Sequence, residues 1–249
     1  MPGNIIVPQT ISISVLIPCY EMHGAGTRFL ARAIDSVLGQ ELTGPNANIK
    51  VDIVVSDDSE DSAIKHICEQ RAASSRFSIS HYFHPGPKSM SRNINFGFRQ
   101  TEGDLIKILF QDDFLSTPQS LDLMASAFRN YPRPSWVVCG SNQQAGNTAP
   151  YGAMVPRYNA LIHLGLNTIS SPSVIALRRE AWLDFDPRLS WLVDVDLYKR
   201  LAELNGLPGI CPETLVTNGV GPHQTTQAEI NRKIVAYETT VVFFKHSAI

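Results

Sequence analysis

Two pairs of adjacent carboxylates are the residues of this sequence best able to do chemistry. Asp57-Asp58 and Asp112-Asp113 each follow directly on a run of β-branched or apolar residues. Adjacent carboxylates repel each other, and a divalent cation such as Mn²⁺ or Mg²⁺ that also bridges to phosphate offsets this repulsion. The plainer interpretation of each pair is a solvated turn in which one Asp caps a nearby helix.

The first acidic pair could also bind a nucleoside. A carboxylate of Asp57 or Asp58 accepts hydrogen bonds, so it can accept one from a ribose hydroxyl or from a base. The N3–H group of uracil is such a donor, and this contact would favour uridine over other bases.

Basic and polar residues follow at helical spacing. Lys88, Arg92, Asn95 and Arg99 fall at i, i+4, i+7 and i+11 and predict one polar stripe. Such a stripe is ordinarily a solvated helix face. Alternatively, Lys88 or Arg92 reaches a base or a diphosphate, and Asn95 caps or orients a loop.

The second half of the chain offers three more candidates. Asp194 and Asp196 lie near the start of a predicted helix over residues 194–204. One of them could cap this helix and the other could act as a general base. His223 lies in a Gly-rich stretch, where a lone His is usually a surface residue, although it could also close over a metal-bound diphosphate.

Strand and helix signals alternate around these residues. Strands are predicted at residues 11–17, 51–55, 77–83, 105–110 and 136–139, with helices between the first four and before the fifth. This repeated βα succession predicts a single α/β domain with a mostly parallel central sheet and helices on both faces. Ligands bind beyond the carboxyl ends of the strands in such sheets, which is where both acidic pairs fall.

Composition excludes several classes of protein. The chain has 249 residues, which suits one α/β domain, and its net charge of -2 gives no general affinity for nucleic acid or anionic membrane. Its four cysteines form no CxxC pair, so we expect free thiols in a reducing compartment. Neither a signal peptide nor an apolar run of membrane-spanning length is found.

Six segments, taken in order, resemble motifs of the family 2 inverting glycosyltransferases of the GT-A fold. The segments are residues 15–21 (VLIPCYE), 54–62 (VVSDDSEDS), 95–104 (NFGFRQTEGD), 110–113 (FQDD), 193–197 (VDVDL) and 223–226 (HQTT). The resemblance implies one GT-A domain over residues 11–226, with a nucleotide-binding half (11–115) and an acceptor-binding half (135–226). A C-terminal helix is expected within residues 227–249, after a capping box at 226–229.

The resemblance also implies roles for single residues. Asp58 contacts the base, Asp112 lies near the ribose and diphosphate, Asp113 ligates the metal, Asp194 is the catalytic base and His223 touches metal or diphosphate. The other expected nucleotide-binding residues are Pro18, Tyr20, Glu21, Asp57, Lys88 and Arg92, and Trp191 is the candidate for acceptor binding. The chain departs from the family pattern in four places. Phe110 replaces the first Asp of the metal motif, Val193 replaces the acid before the base, and Glu21 stands where Asn is common. The loop over residues 41–50 is longer than is typical.

The expected activity is metal-dependent, inverting transfer of a sugar from a nucleoside diphosphate sugar, with UDP as first choice. The acceptor hydroxyl would belong to a carbohydrate or a lipid-linked glycan, in polysaccharide or glycan synthesis. A non-catalytic module that binds nucleotide sugars or glycans is one alternative. A sugar-1-phosphate nucleotidyltransferase is another, but residues 19–27 lack the basic, Gly-rich phosphate loop that such an enzyme would usually carry.

Overall fold

The computed structural model describes residues 11–130, 133–222, 224 and 230–247, which form nine strands and six α-helices. The strands are β1 (Ser12–Cys19), β2 (Lys50–Asp57), β3 (Ser78–Phe83), β4 (Leu105–Ile108), β5 (Phe114–Leu115), β6 (Trp136–Ala145), β7 (Tyr151–Met154), β8 (Ile175–Arg178) and β9 (Gly209–Val220). The helices are α1 (Gly26–Leu38), α2 (Ala63–Ala72), α3 (Met90–Phe98), α4 (Ser120–Ala127), α5 (Val193–Asn205) and α6 (Arg232–Ser247).

All nine strands belong to one sheet in the order β3-β2-β1-β4-β8-β6-β9-β5, with β7 beside β6. The first four strands in this order are parallel, because each βα unit returns the chain to the same edge. Beyond β4 the sheet is mixed: β8 is antiparallel to β4 and β6, β9 is parallel to β6, and β5 is antiparallel to β9. The predicted α/β fold is confirmed, and the predicted parallel pairing holds for β1 to β4, whereas the sheet as a whole is mixed.

The core lies on both faces of the central strands. Val15, Leu16 and Ile17 of β1 are consecutive and fully buried, as expected for a strand covered by helices on each side. Helix α3 packs very closely on this region at Gly97, where a Cβ atom would lie 2.6 Å from both Leu16 Cδ1 and Ser56 Cβ. A glycine at this position therefore lets the helix approach the strand ends that carry the candidate site.

Two strands in the second half had no counterpart in the sequence pattern. Strand β9 spans Gly209–Val220 and runs beside β6, with shifts of register at Gly140. Strand β7 occupies Tyr151–Met154, where the sequence pattern predicts no strand. Helix α6 agrees with the expected C-terminal helix, whereas its predicted capping box at residues 226–229 lies outside the described residues. In the described part of the chain, no helix has the length and apolar character needed to cross a membrane.

Candidate active site

The carboxyl ends of β1, β2 and β4 meet at one edge of the sheet, and backbone contacts join them. The Asp58 N–H donates to the Cys19 carbonyl oxygen (2.9 Å). The Tyr20 N–H donates to Gln111 Oε1 (2.7 Å), and Gln111 Nε2 donates back to the Tyr20 carbonyl oxygen (3.0 Å). The two acidic pairs thus lie along the same edge, as predicted.

Asp57 is buried and holds the interior of this edge together. Its Oδ1 accepts from the Ser59 N–H (2.9 Å), and its Oδ2 lies 2.8 Å from Nε2 of His81 on the neighbouring strand β3. Pro18, also buried, lies opposite Ser56 in the β1–β2 register. The nucleotide contacts expected of Asp57 and Pro18 stay predictions.

Asp58 links the end of β3 to the start of α3. One carboxylate oxygen lies 2.8 Å from Nδ1 of His84, and the other accepts from the N–H of Ser89 (2.9 Å), the residue immediately before α3. A carboxylate can accept more than these two hydrogen bonds, so Asp58 retains the capacity to accept one from a base.

Lys88 and Glu21 come together above this edge, although Lys88 precedes α3 and is not part of the predicted helical stripe. The Lys88 ammonium lies 3.6 Å from Glu21 Oε1 and 3.0 Å from Glu60 Oε1. Arg92 is exposed on α3, without a hydrogen bond or ion pair to any other residue that the structure describes. Both cations are accessible, and their contacts with a nucleotide stay predictions.

Asn95 corrects the interpretation of the stripe as a solvated face. It is buried, donates from Nδ2 to the Phe185 carbonyl oxygen (2.9 Å) and accepts from the Phe185 N–H at Oδ1 (2.8 Å). The alternative, that Asn95 orients a loop, is confirmed. Helical spacing showed which residues share a face of α3, but it could not show that the chain near Phe185 covers part of that face.

The second acidic pair contains one buried and one half-buried carboxylate. Asp113 is 3% exposed; its Oδ1 accepts from the Gly219 N–H (2.9 Å) and its Oδ2 from the Ser171 hydroxyl (3.3 Å). Burial, followed by the neighbouring charge of Asp112, raises the pKa of Asp113 to about 8. The role of Asp113 as a metal ligand stays a prediction, as does the contact of Asp112 with ribose and diphosphate.

Arg32 and Gly219 hold the turn that carries this pair, and neither was a candidate from the sequence. Arg32 on α1 donates from Nη2 to the Asp112 carbonyl oxygen (2.5 Å), and its guanidinium lies 4.5 Å from the ring centroid of Phe114. A Cβ atom at position 219 would lie only 2.2 Å from the same carbonyl oxygen. Only a glycine permits this close approach of β9 to the acidic turn.

A hydrogen-bonded path connects this turn to the predicted base. Ser171, which donates to Asp113, follows Ser170, whose carbonyl oxygen accepts from Asn167 Nδ2 (3.0 Å). The same Nδ2 donates to Asp194 Oδ2 (2.6 Å). Asp194 therefore lies on the same side of the sheet as Asp113, and the exposed Asn167 places this end of the path at the solvent surface.

Ser170, in the middle of the path, has a backbone conformation that non-glycine residues seldom adopt, with φ of 100°. Its surroundings hold it there: its hydroxyl accepts from Ser141 (3.0 Å) and Asn218 (3.1 Å), and its carbonyl oxygen accepts from the Tyr198 hydroxyl (3.1 Å). Strained residues that many contacts fix are typical of functional sites.

Asp194 lies in the first turn of α5 in a half-buried position. Its Oδ1 accepts from the Val195 N–H (2.8 Å), and Asn167 binds the other oxygen. Burial is the main cause that raises the pKa of Asp194, to about 7, and the nearby charge of Glu238 adds to it. Asp194 thus changes charge near neutral pH, which suits a general base.

Asp196 has a different environment, which confirms that the two carboxylates need not share a role. It is fully buried and accepts from Arg200, Lys245 and His246 at 2.8–3.0 Å. These contacts make it an anchor between α5 and α6. Trp191, three residues before Asp194, is half-buried, and its predicted contact with an acceptor is untested; His223 lies outside the described residues.

Comparison with known proteins identifies the family. The model of glycosyl transferase family 2 matches residues 14–183, more than half of the chain, so the protein belongs to this family. No curated protein sequence matches it.

Solved structures of low identity share the GT-A fold. One is S. aureus TarS 1-349 in complex with UDP-GlcNAc, with a TM-score of 0.69 and 14% identity over 94% of this chain and 66% of that one. Another is the mannosyltransferase PcManGT from Pyrobaculum calidifontis in complex with GDP-Man and Mn²⁺, with a TM-score of 0.59 and 14% identity over 92% of this chain and 60% of that one. The chain thus spans less than two thirds of the length of either structure.

Proposed function

We propose that this protein transfers a sugar from a nucleoside diphosphate sugar to an acceptor hydroxyl, with Asp194 as the general base. The observation that carries the proposal is the hydrogen-bonded path from the Asp112-Asp113 turn through Ser170 and Asn167 to Asp194. It brings a candidate base and a candidate phosphate-binding turn to one edge of the sheet. Membership of glycosyl transferase family 2 favours glycosyl transfer over nucleotidyl transfer.

Asp194 takes the proton of the acceptor hydroxyl as that oxygen attacks the anomeric carbon. Asn167 donates to the ionised carboxylate of Asp194 and so orients it. The pKa of Asp194, about 7, keeps a useful fraction of this carboxylate ionised at neutral pH. A positioned base of this kind contributes about 10²–10⁴-fold to the rate. Attack on the face opposite the departing diphosphate inverts the configuration of the sugar.

The acidic turn suits a divalent cation by the chemistry of its donors. The described residues contain no group of three or more His, Cys, Asp or Glu side chains arranged for a metal. Mg²⁺ requires fewer protein ligands, since one or two carboxylates with water and substrate phosphates complete its shell. Asp113 would hold Mn²⁺ or Mg²⁺, with His223 as a further proposed ligand, and Asp112 would lie near the ribose and diphosphate. The bound cation supplies stabilisation of the negative charge on the leaving diphosphate.

The nucleoside would lie along the β1–β2 edge, between Tyr20 and Asp58. Asp58 can accept from uracil N3–H, so UDP is the first choice of nucleotide. TarS supports this choice through its complex with UDP-GlcNAc, whereas PcManGT binds GDP-Man and makes GDP the nucleotide to compare. Lys88 and Arg92 are accessible cations on the same side and would contact the base or diphosphate.

The acceptor would be a carbohydrate or a lipid-linked glycan. Trp191 is the proposed acceptor contact, because aromatic rings offer a flat apolar surface with a polar handle and this one lies next to the Asp194 segment. Polysaccharide or glycan synthesis in the cytoplasm is the corresponding role.

The test compares Asp194→Asn with Asp184→Asn. Asp184 is exposed and pairs with Arg99, away from the site, so its variant serves as a matched control. With a panel of nucleotide sugars, we expect Asp194→Asn to lose at least 100-fold in transfer or donor hydrolysis, and the control to keep the wild-type rate. Calorimetric binding of UDP with Mn²⁺ should persist in both variants.

Two results would redirect the proposal. If the wild type binds UDP but neither transfers nor hydrolyses any donor, the protein is a binding module. If Asp194→Asn reacts at a near-normal rate, the base is another residue. For the cation, Asp113→Ala should remove the dependence of UDP binding on Mn²⁺, and an unchanged dependence would exclude this ligand.

A further inference from the structure

Glu238, on the C-terminal helix α6, binds the backbone immediately before the candidate base. Its Oε1 accepts from the Ser190 N–H (2.7 Å), and its Oε2 accepts from the N–H groups of Trp191 (2.9 Å) and Leu192 (2.8 Å). The side chain is 2% exposed, so these three hydrogen bonds are shielded from water. A buried carboxylate with three backbone donors is a strong and specific contact.

The three N–H groups lie at the entry to α5. Leu192 is the N-cap residue and makes no side-chain capping bond, while Ser190 and Trp191 precede the helix. The first N–H groups of a helix lack partners within the helix, and a negative charge is favoured there. Asp194 Oδ1 binds the Val195 N–H within the first turn, and Glu238 binds the N-cap N–H and the two N–H groups before it from another helix. Glu238 therefore fixes the chain that enters α5, two residues before Asp194.

We propose that Glu238 is a positioning residue for the reaction: by fixing the backbone of residues 190–192, it holds Asp194 in contact with Asn167. The inference rests on the proposed function of Asp194 as base. Glu238 reaches neither the acidic turn nor Asn167, so it acts only through the backbone that it binds. Among the residues that the structure describes, two titratable groups face Asp194: Glu238 on α6, which is charged, and the Tyr198 hydroxyl on α5.

Helix α6 also binds the rest of the protein through ion pairs near its C-terminal end, so the effect of Glu238 can be measured separately from theirs. Lys245 lies 2.9 Å from Asp186 Oδ2 and 2.8 Å from Asp196 Oδ1, and Nε2 of His246 lies 3.0 Å from Asp196 Oδ1. These ion pairs lie a further two turns along α6. A change at Glu238 leaves them in place, and a change at Lys245 leaves the Glu238 contacts in place.

The main experiment measures kcat, KM and the pH dependence of kcat/KM for Glu238→Gln, Glu238→Asp and the control Lys245→Met. In Glu238→Gln an amide N–H₂ faces the backbone donors and the negative charge is lost. We expect kcat to fall by about 10–100-fold with little change of KM for the donor, because a small misplacement of the base has this effect. The acidic limb of the pH profile of kcat/KM should move to lower pH. Burial still raises the pKa of Asp194 in this variant, but the added effect of the Glu238 charge is absent.

The conservative variant and the control complete the test. Glu238→Asp keeps the charge, so its acidic limb should stay at the wild-type position and part of kcat should return. Lys245→Met should lower the melting temperature and leave the limb unchanged. If Glu238→Gln loses thermal stability but keeps the wild-type kcat and limb, its role is structural and the inference is wrong.

A second readout needs no activity. Asp194 can be titrated by carboxyl ¹³C NMR, with its signal assigned from Asp194→Asn, and its pKa should be lower in Glu238→Gln than in the wild type. An unchanged pKa would overturn the inference by itself. A different result would overturn the proposed function alone: the wild type is inactive with every donor, but Glu238→Gln still lowers the pKa of Asp194.

Discussion

The contact between Asn167 and Asp194 leads to the sharpest prediction, a change in pH dependence for Asn167→Asp. Asn167 Nδ2 donates to Asp194, while its Oδ1 accepts from the N–H groups of Ile169 and Ser170 (both 3.0 Å). An Asp at position 167 keeps an oxygen for these two backbone donors. It replaces the Nδ2 donor, which binds ionised Asp194 and the Ser170 carbonyl oxygen, and it adds a carboxylate beside Asp194.

The size of the effect follows from the lost hydrogen bond. A hydrogen bond to a charged group contributes about 1.5–3 kcal/mol, and 1.36 kcal/mol corresponds to one pKa unit. Asn167 is exposed, which favours the lower end of this range, while repulsion between the two carboxylates acts in the same direction. Wild-type kcat/KM should rise with pH through about 7, where Asp194 ionises. In Asn167→Asp, the acidic limb of the kcat/KM profile should lie about one to two pH units higher. Its kcat/KM should be about 10–100-fold below that of the wild type at pH 6 and should partly recover at pH 9.

The assay is the initial rate of transfer or donor hydrolysis between pH 5.5 and 9.5. Asn159→Asp is the matched control, since Asn159 Oδ1 accepts from the Leu161 N–H (2.9 Å) in the same segment but is not in contact with Asp194. Its limb should coincide with that of the wild type. An Asn167→Asp profile with the wild-type limb, or one lowered equally at every pH, would refute the assignment of Asp194 as the titrating base.

Three further predictions concern the framework of the site. Gly219→Ala places a Cβ atom 2.2 Å from the Asp112 carbonyl oxygen, so calorimetry should show weaker Mn²⁺-dependent UDP binding, and unchanged binding would contradict the proposed role of this turn. Burial raises the pKa of Asp113 to about 8, so ionisation of Asp113 opposes folding. Without metal, the wild type should therefore lose thermal stability relative to Asp113→Asn as the pH rises from about 4, the value for an unfolded Asp, to about 8; melting temperatures that change in parallel over this range would be the contrary result. Asp196→Asn breaks a buried ion-pair cluster and should cost about 3–5 kcal/mol in urea unfolding at pH 7. The contacts of Asp196 lower its pKa. The difference in free energy of unfolding between the wild type and Asp196→Asn should therefore narrow only as the pH falls through that lowered pKa. A difference that stays the same at every pH would contradict the role of the ion pairs.

The sheet edge that carries the two acidic pairs could be predicted from the sequence because its signals are local. The strands before Asp58 and Asp113 are β-branched or apolar runs, and helices of clear period separate them. Parallel strands joined by helices must end at the same edge, so the placement of these two residues along one edge follows from element order alone.

The second half could not be predicted in the same way, since its order depends on distant partners. Strand β9 contains Pro212 and lacks a clear alternation of buried and exposed residues, and it is defined by its pairing with β6. Asn167 and Ser170 lie in irregular backbone between β7 and β8, where no periodic pattern indicates which side chain meets Asp194. Only the folded chain shows these contacts.

Asp194 and Asp196 show why residue type and position along the chain do not determine a role. Both lie in the first turn of α5, and residues two apart on a helix point in different directions. Asp196 turns toward the cations of α5 and α6, which lower its pKa and keep it ionised as an anchor. Asp194 turns toward the neutral amide of Asn167, with no cation among its described partners, so burial is not compensated and its pKa rises to about 7. A group that must take up a proton near neutral pH needs this weaker stabilisation, and it is the environment, rather than the Asp-Val-Asp sequence, that makes Asp194 the candidate base.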